Sequence, residues 1–257
     1  MGLFGKTRLT AAHTVNLHKD PAGAPAVNLT KVRDAGHVDL AKRAEKTGVA
    51  LGKRGLAGIR AQAQLVLDHS GSMYPDYDSG DVQTLVERAL AFALQVNASG
   101  TVPVIPFDSR ILPTVEVGVG NYAGVVNREI WRGRNMGSTN LAAALRVVME
   151  TAAAATVPIF CIVVTDGEPD SRPDTTRIVC ELSRYPVFVK FLALKPVAYL
   201  AELDDLDASR RLLDNVDSKP SSTDLNLLSC TDLQFADAMV DEWDTWIAAA
   251  QKAGIVA

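Results

Sequence analysis

Three short stretches of this sequence place oxygen-bearing side chains where they could act together. In QLVLDHSGSM, residues 64–73, the apolar run Leu65-Val66-Leu67 stops at Asp68, and Ser70 and Ser72 follow at every second position. In GRNMGSTNL, residues 133–141, Gly137, Ser138 and Thr139 stand directly before a run of helix formers. In VVTDGEPD, residues 163–170, a second apolar run passes through Thr165 into Asp166, and Gly167 permits a tight turn and close backbone approach. Asp68, Ser70, Ser72, Thr139 and Asp166 offer carboxylates and hydroxyls, with no thiolate or imidazole. Such a set is hard and suits Mg2+, or Mn2+ or Ca2+, better than Zn2+. Ser138 or Thr139 could instead cap the helix that follows. His69 sits between Asp68 and Ser70, but no Cys or second His is near it in sequence, which speaks against a ligand role.

Residues of this kind need rigid elements to hold them. From residue 61 onward, apolar runs and helical periodicities alternate. Strands are predicted over 61–67, 102–107, 114–119, 157–164 and 187–194, and helices over 82–97, 121–130, 140–155, 174–185 and 232–254. Central strands that are apolar throughout imply burial on both faces. The fold class is therefore α/β, a doubly wound, mostly parallel sheet flanked by helices on both faces in a Rossmann-like three-layer arrangement. The prolines of VPVIPF place 102–107 toward an edge. The final predicted helix carries Ala236, Met239, Val240, Trp243, Trp246 and Ile247 on one stripe, a docking face. In an open α/β sheet, ligands collect beyond the carboxyl ends of the strands, and Asp68 and Asp166 both stand there.

Asp68-His69-Ser70-Gly71-Ser72, then Thr139 in GSTNL, then Asp166 in TDGEPD, resembles the metal-ion-dependent adhesion site of von Willebrand factor type A (VWA) domains. The likeness covers roughly residues 60 to 255. More narrowly, LGKRGLAGIRAQAQLVLDHSGSM looks like the bacterial VWA proteins associated with tellurium-resistance and stress-response gene clusters. The resemblance implies that Ser70, Ser72 and Thr139 present hydroxyl oxygens to the metal, while Asp68 and Asp166 hold it mainly through bound water. A divalent cation whose direct protein ligands are neutral keeps most of its charge and seeks an anionic ligand. The implied partner is a protein that offers an Asp or Glu, and the implied activity is metal-dependent protein binding rather than catalysis.

Enzyme readings fare less well. DHSGSM lacks the first glycine of a nucleophile elbow, and the other histidines, His13, His18 and His37, fall far from it in sequence. A Mg2+-dependent phosphohydrolase at the same strand ends is the alternative, with Arg132 and Arg134 as a conceivable phosphate clamp. No P-loop and no G-x-G-x-x-G occurs. Asp76, Asp78 and Asp81 form an acidic loop that lacks the glycine and terminal glutamate positions of a calcium loop. Glu168 and Asp170 read as a surface turn, and Asp108 as a strand-end acid with no hydroxyls around it.

No run reaches the length of a membrane span, the N-terminus lacks a secretory apolar region, and the three cysteines, Cys161, Cys180 and Cys230, read as reduced thiols. The expected location is cytoplasmic. Charge divides the chain: residues 1–60 hold 11 Lys and Arg against 4 Asp and Glu, a net of +7, which leaves −11 on the remaining 197 to give the total of −4. The basic part contains V-x-L-x-K four times, beginning at Val15, Val27, Val38 and Val49. Each copy alternates as a short half-buried strand would, and copies this small must dock on the main domain, dock on a partner or remain flexible. Residues 1–58 are accordingly taken as a basic N-terminal extension and 59–257 as the VWA-like domain. Dispersed basic residues with Phe4 as the extension's one aromatic argue against nucleic-acid binding.

Overall fold

The structure, a computed structural model, describes residues 10–131, 135–219 and 225–257. The N-terminal segment supplies β1 (His18–Lys19), α1 (Leu29–Asp34), α2 (Val38–Lys53) and β2 (Ile59–Arg60). The main sheet and its helices follow as β3 (Gln62–Asp68), α3 (Tyr74–Asp78), α4 (Asp81–Val96), β4 (Thr101–Phe107), β5 (Val115–Gly118), α5 (Leu141–Ala153), β6 (Ile159–Thr165), α6 (Arg172–Leu182), β7 (Val187–Ala193), α7 (Ala198–Asp204), β8 (Val216–Lys219), α8 (Asp232–Met239) and α9 (Trp243–Lys252).

The six-stranded sheet has the order β5-β4-β3-β6-β7-β8, parallel throughout except for the antiparallel pair β4–β5. Every residue of β6 and β7 is buried, as is β3 from Ala63 onward, which is why these strands are mainly apolar, with Gln64 in β3 and Lys190 in β7 as interior polar residues. The chain leaves β3 through α4 to reach β4 on one side, then returns through α5 to β6 on the other side of β3. Right-handed crossovers in opposite directions put α4 and α5 on opposite faces, so a crevice opens at the carboxyl ends of β3 and β6. Asp68 ends β3, and Thr165 ends β6 one residue before Asp166. The proline-bearing β4 lies second from one edge, with β5 outside it.

The structure departs from the sequence reading in several places. The segment 232–254 forms two helices, because Glu242 takes a left-handed φ of 62° and turns the chain between α8 and α9. The apolar stripe survives the break, with all six of its residues buried. Within 121–130, only Val126–Ile130 is helical, as a π-helical turn. The short elements α3, α7 and β8 carry no strong periodicity, and the sequence pattern does not announce them.

The largest correction concerns the repeats. The first copy does extend, with His18–Lys19 pairing antiparallel to Ile59–Arg60, and Val15 bridges Val256. The second opens α1, with the Asn28 side chain accepting from the Lys31 N–H as its N-cap. The third and fourth begin and end a single helix, α2. Their spacing of 11 residues is close to three turns at 3.6 residues per turn, so matching positions fall on one face. Leu40 and Leu51 are buried, whereas Val38 and Val49 are 39% and 49% exposed. A strand would have put each Val and its neighbouring Leu on the same side.

The buried stripe of α2 packs on α4 and α8. Its basic face meets acids contributed by later parts of the chain: Arg43 pairs with Glu87 and Asp232, Lys53 with Asp237, and Arg54 with Asp241 and Asp244. Three of the eleven basic residues of the segment are thus paired with acids of the chain's own later part. At Gly58, φ is +80° and a Cβ would lie 2.4 Å from the Asp20 carbonyl oxygen, so the turn that returns the segment to the sheet needs glycine there. Leu51→Ala should lower the unfolding free energy by about 2–4 kcal/mol in urea denaturation, and Val49→Ala by less than about 1 kcal/mol. Equal losses would mean that the two side chains are equally covered, as in an alternating strand.

Candidate metal centre

At the end of β3 the chain keeps its main-chain direction just long enough to present Asp68, then turns. The Ser70 N–H donates to Asp68 Oδ1 at 2.7 Å and Thr165 Oγ1 donates to Asp68 Oδ2 at 2.5 Å, so each oxygen of the buried carboxylate is fixed. Below the turn, the Tyr77 hydroxyl donates to the Asp68 carbonyl at 3.0 Å, and Met73 is fully buried. Ser70 Oγ and Ser72 Oγ lie 3.2 Å apart, and Ser72 Oγ donates to Asp166 Oδ1 at 2.6 Å. Four of the five residues singled out in the sequence are therefore linked directly or through Thr165.

Thr139 joins them through its loop. Gly137 bridges Ser70, and the Gly71 N–H donates to the Gly137 carbonyl at 3.0 Å. A Cβ at Gly137 would sit 2.9 Å from Asp108 Cγ and 2.7 Å from Ser109 Oγ, so a larger residue would push this loop away from the serines. Thr139 is buried and clamped at its main chain: its N–H donates to Asp170 Oδ1 at 3.0 Å, and its carbonyl accepts from the Asp170 N–H at 2.9 Å. The N-cap of α5 is Asn140, whose side chain accepts from the Ala143 N–H, and Ser138 Oγ donates to Asp170 Oδ2. Capping is thus carried by the residue after the Ser-Thr pair.

Several flanking residues also find their roles. Asp170 is a positioning residue for the Thr139 loop rather than a plain surface turn; Glu168 does pair at the surface, with Arg172. Asp108 is buried, receives the Arg110 N–H, and its carbonyl accepts from Asn140, so it braces the same loop. Burial works to raise its pKa, but the Arg110 bonds and charge outweigh it and hold the carboxyl below the usual range. His69 is buried edge-on to Tyr77, with ring centroids 5.4 Å apart and Nδ1 3.9 Å from Asp108 Oδ2, which places it under the loop. Arg132 and Arg134 lie outside the described residues.

Lys195 was missed. Its Nζ lies 2.6 Å from Asp166 Oδ2, and this bond raises the lysine pKa. A second acidic group, Asp204, Asp217 and Glu242, has carboxylate oxygens within 4.8 Å of one another. Asp217 is already paired with the buried Lys190 and with Lys219, so this cluster belongs to an internal ion network and contains none of the residues predicted from sequence.

This geometry accompanies a clear relationship. Residues 60–256 match the family vWA-TerF-like, the vWA found in the TerF C terminus. The chain belongs to this family. It is also 30% identical over 228 residues to the uncharacterized protein YcbR of Bacillus subtilis (strain 168), covering 85% of this chain and 90% of that one. Among solved structures, manganese-loaded TRAP of Plasmodium vivax is similar at a TM-score of 0.46 and 16% identity, over 72% of this chain and 73% of that one. An aerotolerance-related membrane protein of Bacteroides fragilis is similar at 0.40 and 18%, over 52% and 67%. The protein is thus a VWA domain protein related to the TerF type. None of the helices among the described residues is long and apolar enough to cross a membrane.

The donor chemistry fits a divalent cation. Hydroxyls of Ser70 and Ser72 and the carboxylates of Asp68 and Asp166 share one sheet edge, and burial pushes the Asp68 pKa from 3.8 up to about 6 despite the bonds from Thr165 and Ser70. A nearby cation would relieve that cost. The sign follows from the raised value: between pH 3.8 and about 6 the folded chain binds the proton and the unfolded chain does not, so stability falls as pH rises through this window. In metal-free buffer, Asp68→Asn should gain on wild type in urea-unfolding free energy from pH 4 to pH 7, by on the order of 3 kcal/mol at most. A difference that stays flat with pH would mean that Asp68 ionises as an exposed acid does.

Proposed function

We propose that this protein is a metal-dependent protein-binding module in which Asp68, Ser70, Ser72, Thr139 and Asp166 hold Mg2+, or Mn2+ or Ca2+, and the ion captures an Asp or Glu of a partner protein. The observation that carries this reading is the hydrogen-bonded set at the carboxyl ends of β3 and β6, in which Ser70 Oγ, Ser72 Oγ and Asp166 Oδ1 follow one another at 3.2 and 2.6 Å. With serine and threonine hydroxyls as direct ligands and the two carboxylates acting mainly through water, a bound ion would retain charge for an incoming acid. Two of the large apolar side chains that are exposed among the described residues, Tyr74 at 53% and Ile111 at 37%, follow the carboxyl ends of β3 and β4, Tyr74 at the start of α3 and Ile111 in the loop after β4. They supply apolar contact around a charged centre, the usual composition of a binding patch.

The family name supports a place in a bacterial tellurium-resistance or stress-response system, and the unpaired Cys161, Cys180 and Cys230 are consistent with a cytoplasmic location. The division into an extension, 1–58, and a VWA domain, 59–257, is kept in this reading. The family match begins at residue 60, and α2 serves as a brace across α4 and α8. Direct binding by the repeats is disfavoured by the burial of Leu40 and Leu51 against the domain. Lys195 gives the phosphohydrolase alternative one favourable feature, a cation beside a strand-end aspartate.

Wild type is expected to bind one Mn2+ in calorimetric titration and to retain an acidic partner in Mg2+ but not in chelator. Asp68→Ala and Ser70→Ala should each weaken ion binding at least about tenfold and abolish capture, at about 1.4 kcal/mol per tenfold change. Capture that persists in chelator would defeat the reading, and phosphatase turnover lost in both variants would replace it with the enzyme alternative.

A further inference from the structure

Both oxygens of Asp166 are engaged within the protein. Ser72 Oγ donates to Oδ1, and Lys195 Nζ donates to Oδ2, each at 2.6 Å. The lysine arrives there through its backbone: the Leu194 N–H donates to the Thr165 carbonyl at 2.9 Å, which ties the exit of β7 to the exit of β6, and Pro196 restricts the chain just beyond. The ammonium therefore sits beside a residue assigned to hold the metal. Lys195 remains 54% exposed, so it can swing away without opening the fold. Asp76 is the other acid within its electrostatic reach.

A unit positive charge bonded to Asp166 acts against a divalent ion in either of two arrangements. If the lysine stays, the two cations repel across a few ångströms; if it leaves, the ion must displace its bond. In both cases the ion alone binds less firmly than the oxygen set would allow. An anion arriving from outside changes the balance, because it neutralises excess charge on the ion and offers Lys195 a new partner. By linkage, anion and ion then strengthen each other's binding by the same factor.

Resting on the metal-binding reading above, we propose that Lys195 is a resident cation of the site that competes for Asp166, so that the metal binds weakly alone and firmly only together with a carboxylate from the partner. Lys195 thereby makes the site respond to the coincidence of ion and acid rather than to the ion alone.

The test is titration of wild type, Lys195→Met and Lys195→Arg with Mn2+, with free ion counted by electron paramagnetic resonance, in chloride and in acetate at equal ionic strength. Acetate is the carboxylate probe. In chloride, Lys195→Met should bind Mn2+ about tenfold tighter than wild type, and Lys195→Arg should stay within about twofold of wild type. Acetate should tighten Mn2+ binding several-fold in wild type and distinctly less in Lys195→Met. Circular dichroism of the variants in chelator checks that all are folded, which an exposed side chain at this position permits. Equal or weaker binding by Lys195→Met in chloride, or an acetate effect identical in both proteins, overturns the proposal while leaving the metal site intact. Failure of every protein to bind Mn2+ overturns this proposal and the metal reading together.

Discussion

Burying the Asp68 carboxylate at the end of β3 has an energetic cost that the bonds from Thr165 and the Ser70 N–H offset only in part, and the raised pKa of about 6 is the measure of what remains. Most of the local architecture serves to keep this group in place. The β3–β6 parallel register brings Thr165 alongside it, Tyr77 holds its carbonyl from below, and the Gly137 loop closes over the serines that follow it. Sites arranged for function commonly hold a group that the fold by itself would rather neutralise. The unfavourable charge makes sense if something cationic is meant to approach it; the neighbouring Asp166 already has such a cation in Lys195.

The central sheet was legible in the sequence because parallel strands buried on both faces are mostly apolar, and Lys190, the charged residue within β7, interrupts its run without hiding it. Residues 157–164 and 187–194 needed no other signal, and β6 and β7 fall within a residue or two of them. The candidate residues at the strand ends stood out for a related reason: a strand that ends in an acid followed by alternating hydroxyls has no need of them for packing. Edge and connecting elements were not legible. The strand β8 reads VDSK, and its two charged residues, Asp217 and Lys219, pair with each other and with Lys190 and Asp241, which come from other parts of the chain. Asp170 and Lys195 were equally hidden, since their importance lies in what they touch across the crevice rather than in any local pattern.

The repeats show how a short window can mislead where a longer one would not. Within five residues, V-x-L-x-K alternates like a strand; across 11 residues, the same pattern keeps one helical face. The outcome is decided by what lies opposite. Leu40 and Leu51 find α4 and α8, Val38 and Val49 find water, and Arg43, Lys53 and Arg54 find acids of α4, α8, the turn after α8 and α9. Part of the segment's basic charge thus serves as counter-charge to the chain's own later segments.

The brace has a consequence in time. Lys53 and its partner Asp237 are 184 residues apart, and α8 is among the last elements to be synthesised. At cellular elongation rates of about 5–20 residues per second, the leucine stripe of α2 waits on the order of ten seconds or more for part of its cover. During that interval α4 is the nearer shelter, and the nascent chain depends on early docking of α2 there to keep an apolar face from adhering to its neighbours.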